Sequence, residues 1–203
     1  MYLYRVGKVI LFIAFKILFR LSIKGKENFP KQQGVLLCSN HISNFDPPIL
    51  GVASPRIIRF MAKEELFHIP VLNWLFKKLG GFPVKRGLGD KQALRKGLEL
   101  LNNGEVLGIF PEGTRSKTGE LGKGMAGAGF FALRSNAVVI PCAIVGNYRP
   151  FRKIKVIFGK PIQFDELKKE KHSTKDATEL IMNEIQQILE KERSMSKMFV
   201  GEK

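Results

Sequence analysis

The chain has 203 residues, a length that limits it to one domain or one domain with a short appendage. Its content of 34 basic and 18 acidic residues gives a formal net charge of +16, which excludes a neutral or acidic surface. Such a surface favours a polyanionic partner: nucleic acid, anionic lipid headgroups or an acidic carrier protein. Cys38 and Cys142 lie in apolar runs and are predicted to be buried free thiols.

The first 23 residues are apolar but interrupted by basic residues at Arg5, Lys8, Lys16 and Arg20. On a helical wheel these four side chains fall within an arc of roughly 120°, and Ile, Leu, Phe and Val fill the rest. The pattern predicts an amphipathic helix in the membrane interface, with its basic side towards the headgroups. A secretory signal, which the internal charges disfavour, and a helix packed on the protein's own core are the alternatives. We expect deletion of residues 1–20 to release the protein from vesicles while largely sparing the fold.

Strand and helix patterns alternate along the rest of the chain. Strands are predicted at 21–26, 34–39, 56–62, 80–87, 106–110, 138–146 and 154–158. Helices are predicted at 47–52, at 64–79 in two pieces, at 90–104 and at 173–193. The second piece of the 64–79 segment contains the only Trp and suits either a second interfacial element or a core helix.

This order predicts an α/β fold with a largely parallel central sheet and helices on both faces. The chain divides into an interfacial helix at residues 1–23 and an α/β domain at residues 24–203. Because parallel strands end at the same edge of a sheet, polar loops that follow them are predicted to meet there, where ligands bind in open α/β sheets.

Two buried strands end in polar loops that core packing does not explain. The first loop carries His41 and, five residues later, Asp46, which precedes two prolines and resembles a helix N-cap. On a helix this spacing is about 500°, so the two side chains would diverge, but a loop can fold the carboxylate back onto the imidazole. The carboxylate would then fix the tautomer and leave the other ring nitrogen as a base. The residues alone leave open that Asp46 only caps a helix.

The second polar loop, residues 111–116, contains Arg115, whose planar guanidinium suits a phosphate. Lys85 and Arg86 lie in a third loop that is expected at the same edge. No Ser or Cys lies in a nucleophile-elbow pattern. These residues therefore predict a base that activates a substrate's own hydroxyl group, next to a phosphate-binding group.

Four sequence blocks resemble the glycerolipid acyltransferase family. Residues 40–46 are similar to its NHxxxxD motif, and residues 110–116 match its FPEGTRS motif in full. Residues 82–87 resemble the basic motif between them, and residues 140–144 resemble the fourth motif, with Cys142 where Val is more usual. The blocks span about residues 34–146 in the family's order, and the length and basic N terminus most resemble the bacterial 1-acylglycerol-3-phosphate acyltransferases.

The resemblance implies transfer of a fatty acyl group from an acyl thioester to the 2-hydroxyl of 1-acylglycerol-3-phosphate, making phosphatidic acid for phospholipid biosynthesis without an acyl-enzyme. It implies His41 as general base and Asp46 as the residue that orients it. The acceptor-binding residues implied by the resemblance are Lys85, Arg86, Glu112, Gly113, Thr114 and Arg115. We hypothesise that Glu112 positions Arg115 or a glycerol hydroxyl.

No cofactor and no metal are expected, and acyl-CoA, acyl carrier protein or acyl phosphate would be the co-substrate. The expected partners are anionic membrane lipids, lysophosphatidic acid and the acyl donor, with the protein peripheral or monotopic on the cytoplasmic face of the cell membrane. Nucleic acid is not expected. The alternatives are glycerol-3-phosphate or another lysolipid as acceptor, a hydrolase that uses the same base, and a basic nucleic-acid- or lipid-binding module without catalysis.

Overall fold

The computed structural model describes residues 2–70, 73, 80–84, 90–170 and 172–198, with the backbone alone at 2–6, 66 and 196–198. The strands within these residues are β1 (Ser22–Lys24), β2 (Val35–Ser39), β3 (Ile58–Lys63), β4 (Phe82–Val84), β5 (Val106–Ile109), β6 (Val138–Val145) and β7 (Lys155–Phe158). They form one sheet in the order β1-β7-β6-β2-β5-β3-β4. Every neighbouring pair is parallel except β6 and β7, which confirms the prediction of a largely parallel sheet.

The strand β2 lies in the middle of the sheet because all its side chains can be buried. Its residues pair with β5 on one side and β6 on the other. Val35 and Leu37 contribute to one core layer, and Leu36 and Cys38 contribute to the other. A continuous apolar run is typical of such a strand. The carboxyl ends of β2, β5 and β6 form one edge of the sheet, which we call the polar rim.

Helices cover both faces of the sheet, as predicted. They are α1 (Tyr2–Leu18), α2 (Asp46–Ala53), α3 (Lys91–Asn102), α4 (Gly127–Arg134), α5 (Asp165–Lys169) and α6 (Thr174–Met198). Residues of α1 and α2 pack in the core layer of Val35, whereas residues of α3, α4 and α6 pack in the layer of Leu36. The N-cap of α3 is Asp90, as predicted, and its carboxylate accepts the backbone N–H groups of Gln92 and Ala93.

The helical prediction for residues 64–79 is only partly covered by the structure. Its first piece is a 3₁₀ turn at Glu64–His68 rather than an α-helix. Its second piece, apart from Asn73, lies outside the described residues. The predicted edge strand at 21–26 is confirmed as the shorter β1, which pairs with β7.

The helix α1 packs on the protein through one side and exposes apolar residues on another. Phe15 and the following Phe19 are buried in the core. Lys8 Nζ donates a hydrogen bond to the Ser54 carbonyl oxygen at 2.6 Å, so the prediction that the basic side faces headgroups is wrong for Lys8. The reason is that Lys8 shares its side of the helix with Phe15, and burial of a phenylalanine ring contributes about 1.5–3 kcal/mol.

The solvent-facing side of α1 is instead formed by Val9, Ile10, Ile13 and Ile17, each more than half exposed. Isolated exposed hydrophobic residues are ordinary, but a contiguous stripe of this kind marks a contact surface. Among the helices that the structure describes, none has the length and hydrophobicity needed to cross a bilayer.

Candidate active site

His41 and Asp46 form a hydrogen-bonded pair at the polar rim. His41 Nδ1 lies 2.7 Å from Asp46 Oδ2, and the same oxygen accepts the backbone N–H groups of Ile42 at 2.6 Å and Ser43 at 2.7 Å. Asp46 is fully buried, while the His41 side chain keeps 13% of its surface exposed. A carboxylate only accepts hydrogen bonds, so Nδ1 carries the proton and Nε2 is the basic nitrogen. The chain therefore forms the loop that the spacing of His41 and Asp46 allows, with the carboxylate folded back onto the imidazole.

Asp46 is not the N-cap that its position before two prolines predicts. The helix α2 begins at Asp46 itself, and Phe45 occupies the cap position without a side-chain hydrogen bond. The N-cap prediction is wrong because the Asp46 carboxylate turns back to the preceding loop, where the imidazole and two backbone N–H groups compete for it.

Tyr148 completes the shell of donors around Asp46, and sequence reasoning missed it. Its hydroxyl donates to Asp46 Oδ1 at 2.6 Å. Burial and the negative charge of Asp46 raise the pKa of Tyr148, so the hydroxyl stays protonated and remains a donor. Tyr148 lies just beyond β6, outside the four motif blocks. The one available signal was its place after a strand that ends at the polar rim.

The loop that carries His41 is fixed by two further contacts. The Asn40 side chain donates to the Ile144 carbonyl oxygen at 3.0 Å and accepts the Ile144 N–H at 2.7 Å, which ties the end of β2 to β6. The His41 ring stacks on Phe110, with centroids 4.0 Å apart and an interplanar angle of 16°. Hydrogen bonding at one ring atom and stacking on one ring face together hold the imidazole in a single orientation.

Glu112 fastens the second polar loop to the first. Its carboxylate is buried, and Oε1 accepts the His41 backbone N–H at 2.8 Å while Oε2 accepts the Gly122 N–H at 2.9 Å. The backbone N–H of Ser116 in turn donates to the His41 carbonyl oxygen at 2.8 Å. Glu112 thus positions the His41 backbone, and the described residues show no hydrogen bond or ion pair between Glu112 and Arg115. Its role in acceptor binding stays a prediction.

Of the other residues predicted to bind the acceptor, three lie in the loop after β5 at the polar rim, and two lie outside the described residues. Gly113 has a left-handed φ of +68°, which lets the loop turn sharply after Glu112. Thr114 and Arg115 are exposed. The Ser116 N–H donates to the His41 carbonyl oxygen, which brings the backbone next to Arg115 close to the His41 loop. The structure shows no ion pair or hydrogen bond between the Arg115 guanidinium and any described residue. Lys85 and Arg86 lie outside the described residues.

A cleft of about 200 Å³ lies between Ile42, which follows His41, and the end of β6 and α6. The residues that line it are Ile42, Gly119, Ile144, Val145, Gly146, Leu189 and Arg193. Pockets that enclose a whole drug-sized ligand have volumes of about 300–1,000 Å³, so this cleft suits part of a substrate. In the same described region, no three His, Cys, Asp or Glu side chains lie close enough together to hold a metal ion.

Comparison with known proteins identifies a family and several similar chains. A family model described as Acyltransferase matches residues 20–145, more than half of the chain. A 1-acyl-sn-glycerol-3-phosphate acyltransferase of Bacillus subtilis is 34% identical over 148 residues, which cover 70% of this chain and 73% of that protein. A chloroplastic 1-acyl-sn-glycerol-3-phosphate acyltransferase of Arabidopsis thaliana is 32% identical over 157 residues, covering 71% of this chain. The present chain spans only 44% of that plant protein's length.

The fold is also similar to that of a solved protein. The crystal structure of the 1-acyl-sn-glycerophosphate acyltransferase PlsC from Thermotoga maritima superposes with a TM-score of 0.74 at 26% sequence identity. The match covers 92% of this chain and 80% of that chain. The similarity therefore extends over nearly all of the sheet and the helices described above.

Proposed function

Because this chain belongs to the acyltransferase family, we propose that it transfers a fatty acyl group to the 2-hydroxyl of 1-acylglycerol-3-phosphate and so makes phosphatidic acid. The observation that carries the proposal is the hydrogen-bonded His41–Asp46 pair on the same rim of the sheet as the loop that carries the exposed Arg115. A base next to a free guanidinium suits an acceptor that contains both a hydroxyl group and a phosphate.

In the proposed reaction, His41 Nε2 removes the proton from the acceptor hydroxyl as its oxygen attacks the thioester carbonyl carbon. A carbon–oxygen bond forms, the carbon–sulfur bond breaks, and the imidazolium returns its proton to the leaving thiolate. Asp46 accepts the Nδ1 hydrogen bond throughout and stabilises the imidazolium. The acyl group passes directly between the substrates, since a thioester is already activated and no protein nucleophile is required.

The proposal is tested by assaying the purified full chain with matched acyl donors and a panel of acceptors. The donors are acyl-CoA, acyl carrier protein and acyl phosphate, and the acceptors are lysophosphatidic acid, glycerol-3-phosphate and a lysolipid without a phosphate monoester. A His41→Ala protein is the blank. We expect product with lysophosphatidic acid, and donor consumption that ignores every acceptor would instead indicate a hydrolase. Steeply salt-dependent binding to duplex DNA, without acyl transfer, would favour a nucleic-acid-binding module.

Tyr148→Phe should lower kcat about tenfold while the KM values of donor and acceptor stay close to those of the wild type. The substitution removes the hydrogen bond to Asp46 Oδ1, and a bond to a charged group contributes about 1.5–3 kcal/mol. The ring remains packed edge-on against Phe19, so the site keeps its shape. Steady-state kinetics checks this, and a changed KM with an unchanged kcat would contradict a role in orienting the base.

We further propose that the protein lies on the cytoplasmic face of the cell membrane and contacts anionic lipid through α1. The exposed stripe of Ile10, Ile13 and Ile17 supports this, as does the net charge of +16. The same charge suits an acidic acyl carrier protein as donor. Deleting residues 1–20 is a poor test of the anchor, because it would also remove the buried Phe15 and Phe19 from the core.

Replacing Ile10, Ile13 and Ile17 together with serine should release the protein from phospholipid vesicles and leave its unfolding temperature nearly unchanged. These side chains are 61%, 52% and 65% exposed, so their substitution removes membrane contact area without opening the core. Vesicle sedimentation and thermal unfolding measure the two effects. The control is an Ile57→Ser variant, which changes an exposed residue just before the amino end of β3, at the edge of the sheet opposite the polar rim. Unaltered sedimentation of the triple variant would rule out the anchor.

A further inference from the structure

The connection between β6 and β7 contains a short segment in which basic residues flank an exposed phenylalanine in the sequence. We call residues 149–153 the basic loop; it reads Arg149-Pro150-Phe151-Arg152-Lys153, and all five residues are exposed. Phe151 is 68% exposed, the largest value among the big hydrophobic side chains of the described residues. Neither the mechanism nor the sequence motifs assign a role to this loop.

The basic loop holds Phe151 outward in a backbone conformation that ordinary residues avoid. Its φ is +61°, in the left-handed region that residues with a side chain rarely adopt. The turn is stabilised by hydrogen bonds from the Arg152 N–H to the Arg149 carbonyl oxygen at 3.1 Å and from the Phe151 N–H to the Leu18 carbonyl oxygen at 2.6 Å. The second bond attaches the loop to the end of α1, so the ring is presented to solvent by a fixed backbone.

Strand pairing places the basic loop at the polar rim, beside the dyad. Val145, at the end of β6, pairs with Lys155, and Lys155 pairs with Ser22 just after α1. The loop therefore projects from the same edge of the sheet as His41. Tyr148, the residue that precedes it, donates to Asp46. Because the Phe151 N–H donates to Leu18 at the end of α1, Phe151 lies next to the end of that helix and of its exposed apolar stripe.

We propose that the basic loop is a second membrane-binding element, which inserts Phe151 into the interface of an anionic bilayer and places Arg149, Arg152 and Lys153 among the headgroups. An exposed ring flanked by cations has the chemistry of such a surface: the ring enters the acyl boundary and each cation pairs with a phosphate. With α1 as the other contact, the loop turns the polar rim towards the bilayer. This orientation rests on the proposed function, in which the acceptor is a lipid.

Vesicle binding by a charge variant of the loop tests the proposal. Arg149→Ala, Arg152→Ala and Lys153→Ala together should weaken binding to mixed phosphatidylglycerol and phosphatidylcholine vesicles about 100-fold, at about 1 kcal/mol for each cation. The matched control removes three exposed lysines elsewhere by Lys160→Ala, Lys169→Ala and Lys175→Ala, and should change binding only a fewfold. Equal weakening by both triple variants would mean that total charge alone governs binding and would overturn the proposal.

The depth of Phe151 is measured separately with Phe151→Trp in a Trp74→Phe background, because Trp74 is the only tryptophan of the chain. The new indole should shift its emission to the blue on anionic vesicles and be quenched by brominated lipid. An unquenched signal on vesicle-bound protein overturns the insertion of the ring.

Both measurements are made without donor or acceptor, so they do not depend on acyl transfer. If the protein binds through the loop but transfers no acyl group, the proposed function fails and the loop proposal stands. If acyl transfer is normal and the loop variant binds vesicles like the wild type, the loop proposal fails and the proposed function stands. Normal vesicle binding with a selective loss of activity on acyl carrier protein would make the partner an acidic protein and overturn the membrane assignment.

Discussion

A His41→Ala variant should lose about 10²–10⁴-fold in kcat while it still binds both substrates, because it lacks the one nitrogen positioned to take the acceptor proton. The backbone N–H of residue 41 still reaches Glu112, and Asp46 still accepts the N–H groups of Ile42 and Ser43. The loop therefore keeps most of its hydrogen bonds in the variant. Steady-state kinetics with lysophosphatidic acid, together with thermal unfolding, separates lost chemistry from lost folding.

The matched variant is Arg115→Ala, which should show the opposite kinetic pattern. Its guanidinium is exposed at the rim, and a hydrogen bond to a charged group contributes about 1.5–3 kcal/mol, which corresponds to roughly 10- to 150-fold in KM for a phosphate acceptor. An Arg115→Lys protein keeps the charge but loses the planar guanidinium, so its KM for the phosphate acceptor should lie between those of the wild type and Arg115→Ala. With an acceptor that lacks phosphate, Arg115→Ala should behave like the wild type. Equal loss of acceptor affinity in the His41 and Arg115 variants would contradict these separate roles.

The parts of the fold that the sequence predicts are those in which one local pattern decides the outcome. The run from Val35 to Ser39 is apolar enough to be buried on both sides, so it had to be an interior strand. Asp90 lies directly before the first turn of α3 and accepts the backbone N–H groups of Gln92 and Ala93, so the adjacent residues alone made this cap predictable. His41 and Asp46 were likewise close enough in the chain for one loop to bring them together.

Predictions failed mainly where residues distant in sequence decide the outcome. A helical wheel shows that α1 is one-sided, but it does not show that Phe15 and Phe19 find a core and carry Lys8 inward with them. The cap prediction for Asp46 failed for a local reason instead, since the proline pattern describes the helix that follows and not the groups of the preceding loop that bind the carboxylate. Tyr148, at a separation of 102 residues from Asp46, had no local pattern that could reveal it.

Asp46→Asn should reduce kcat by about two to four orders of magnitude with only a moderate loss of stability. The amide oxygen can still accept the N–H groups of Ile42 and Ser43, and the amide nitrogen can donate to the Tyr148 hydroxyl oxygen. What the variant lacks is the negative charge beside Nδ1, so nothing stabilises the imidazolium that forms when His41 takes the proton. The loss is measured as kcat with lysophosphatidic acid, with the fold monitored by thermal unfolding.

Two comparisons distinguish this electrostatic role from a purely structural one. Asp46→Ala removes the acceptor altogether and leaves the Ile42 and Ser43 N–H groups without their partner, at a cost of about 1–3 kcal/mol for each buried group. It should therefore unfold at a clearly lower temperature than Asp46→Asn, although both lose activity. Tyr148→Phe keeps the charge and should lose only about tenfold in kcat, less than either Asp46 variant. An Asp46→Asn protein with near wild-type kcat would mean that the carboxylate only shapes the loop, and the assignment of His41 as an oriented base would fall with it.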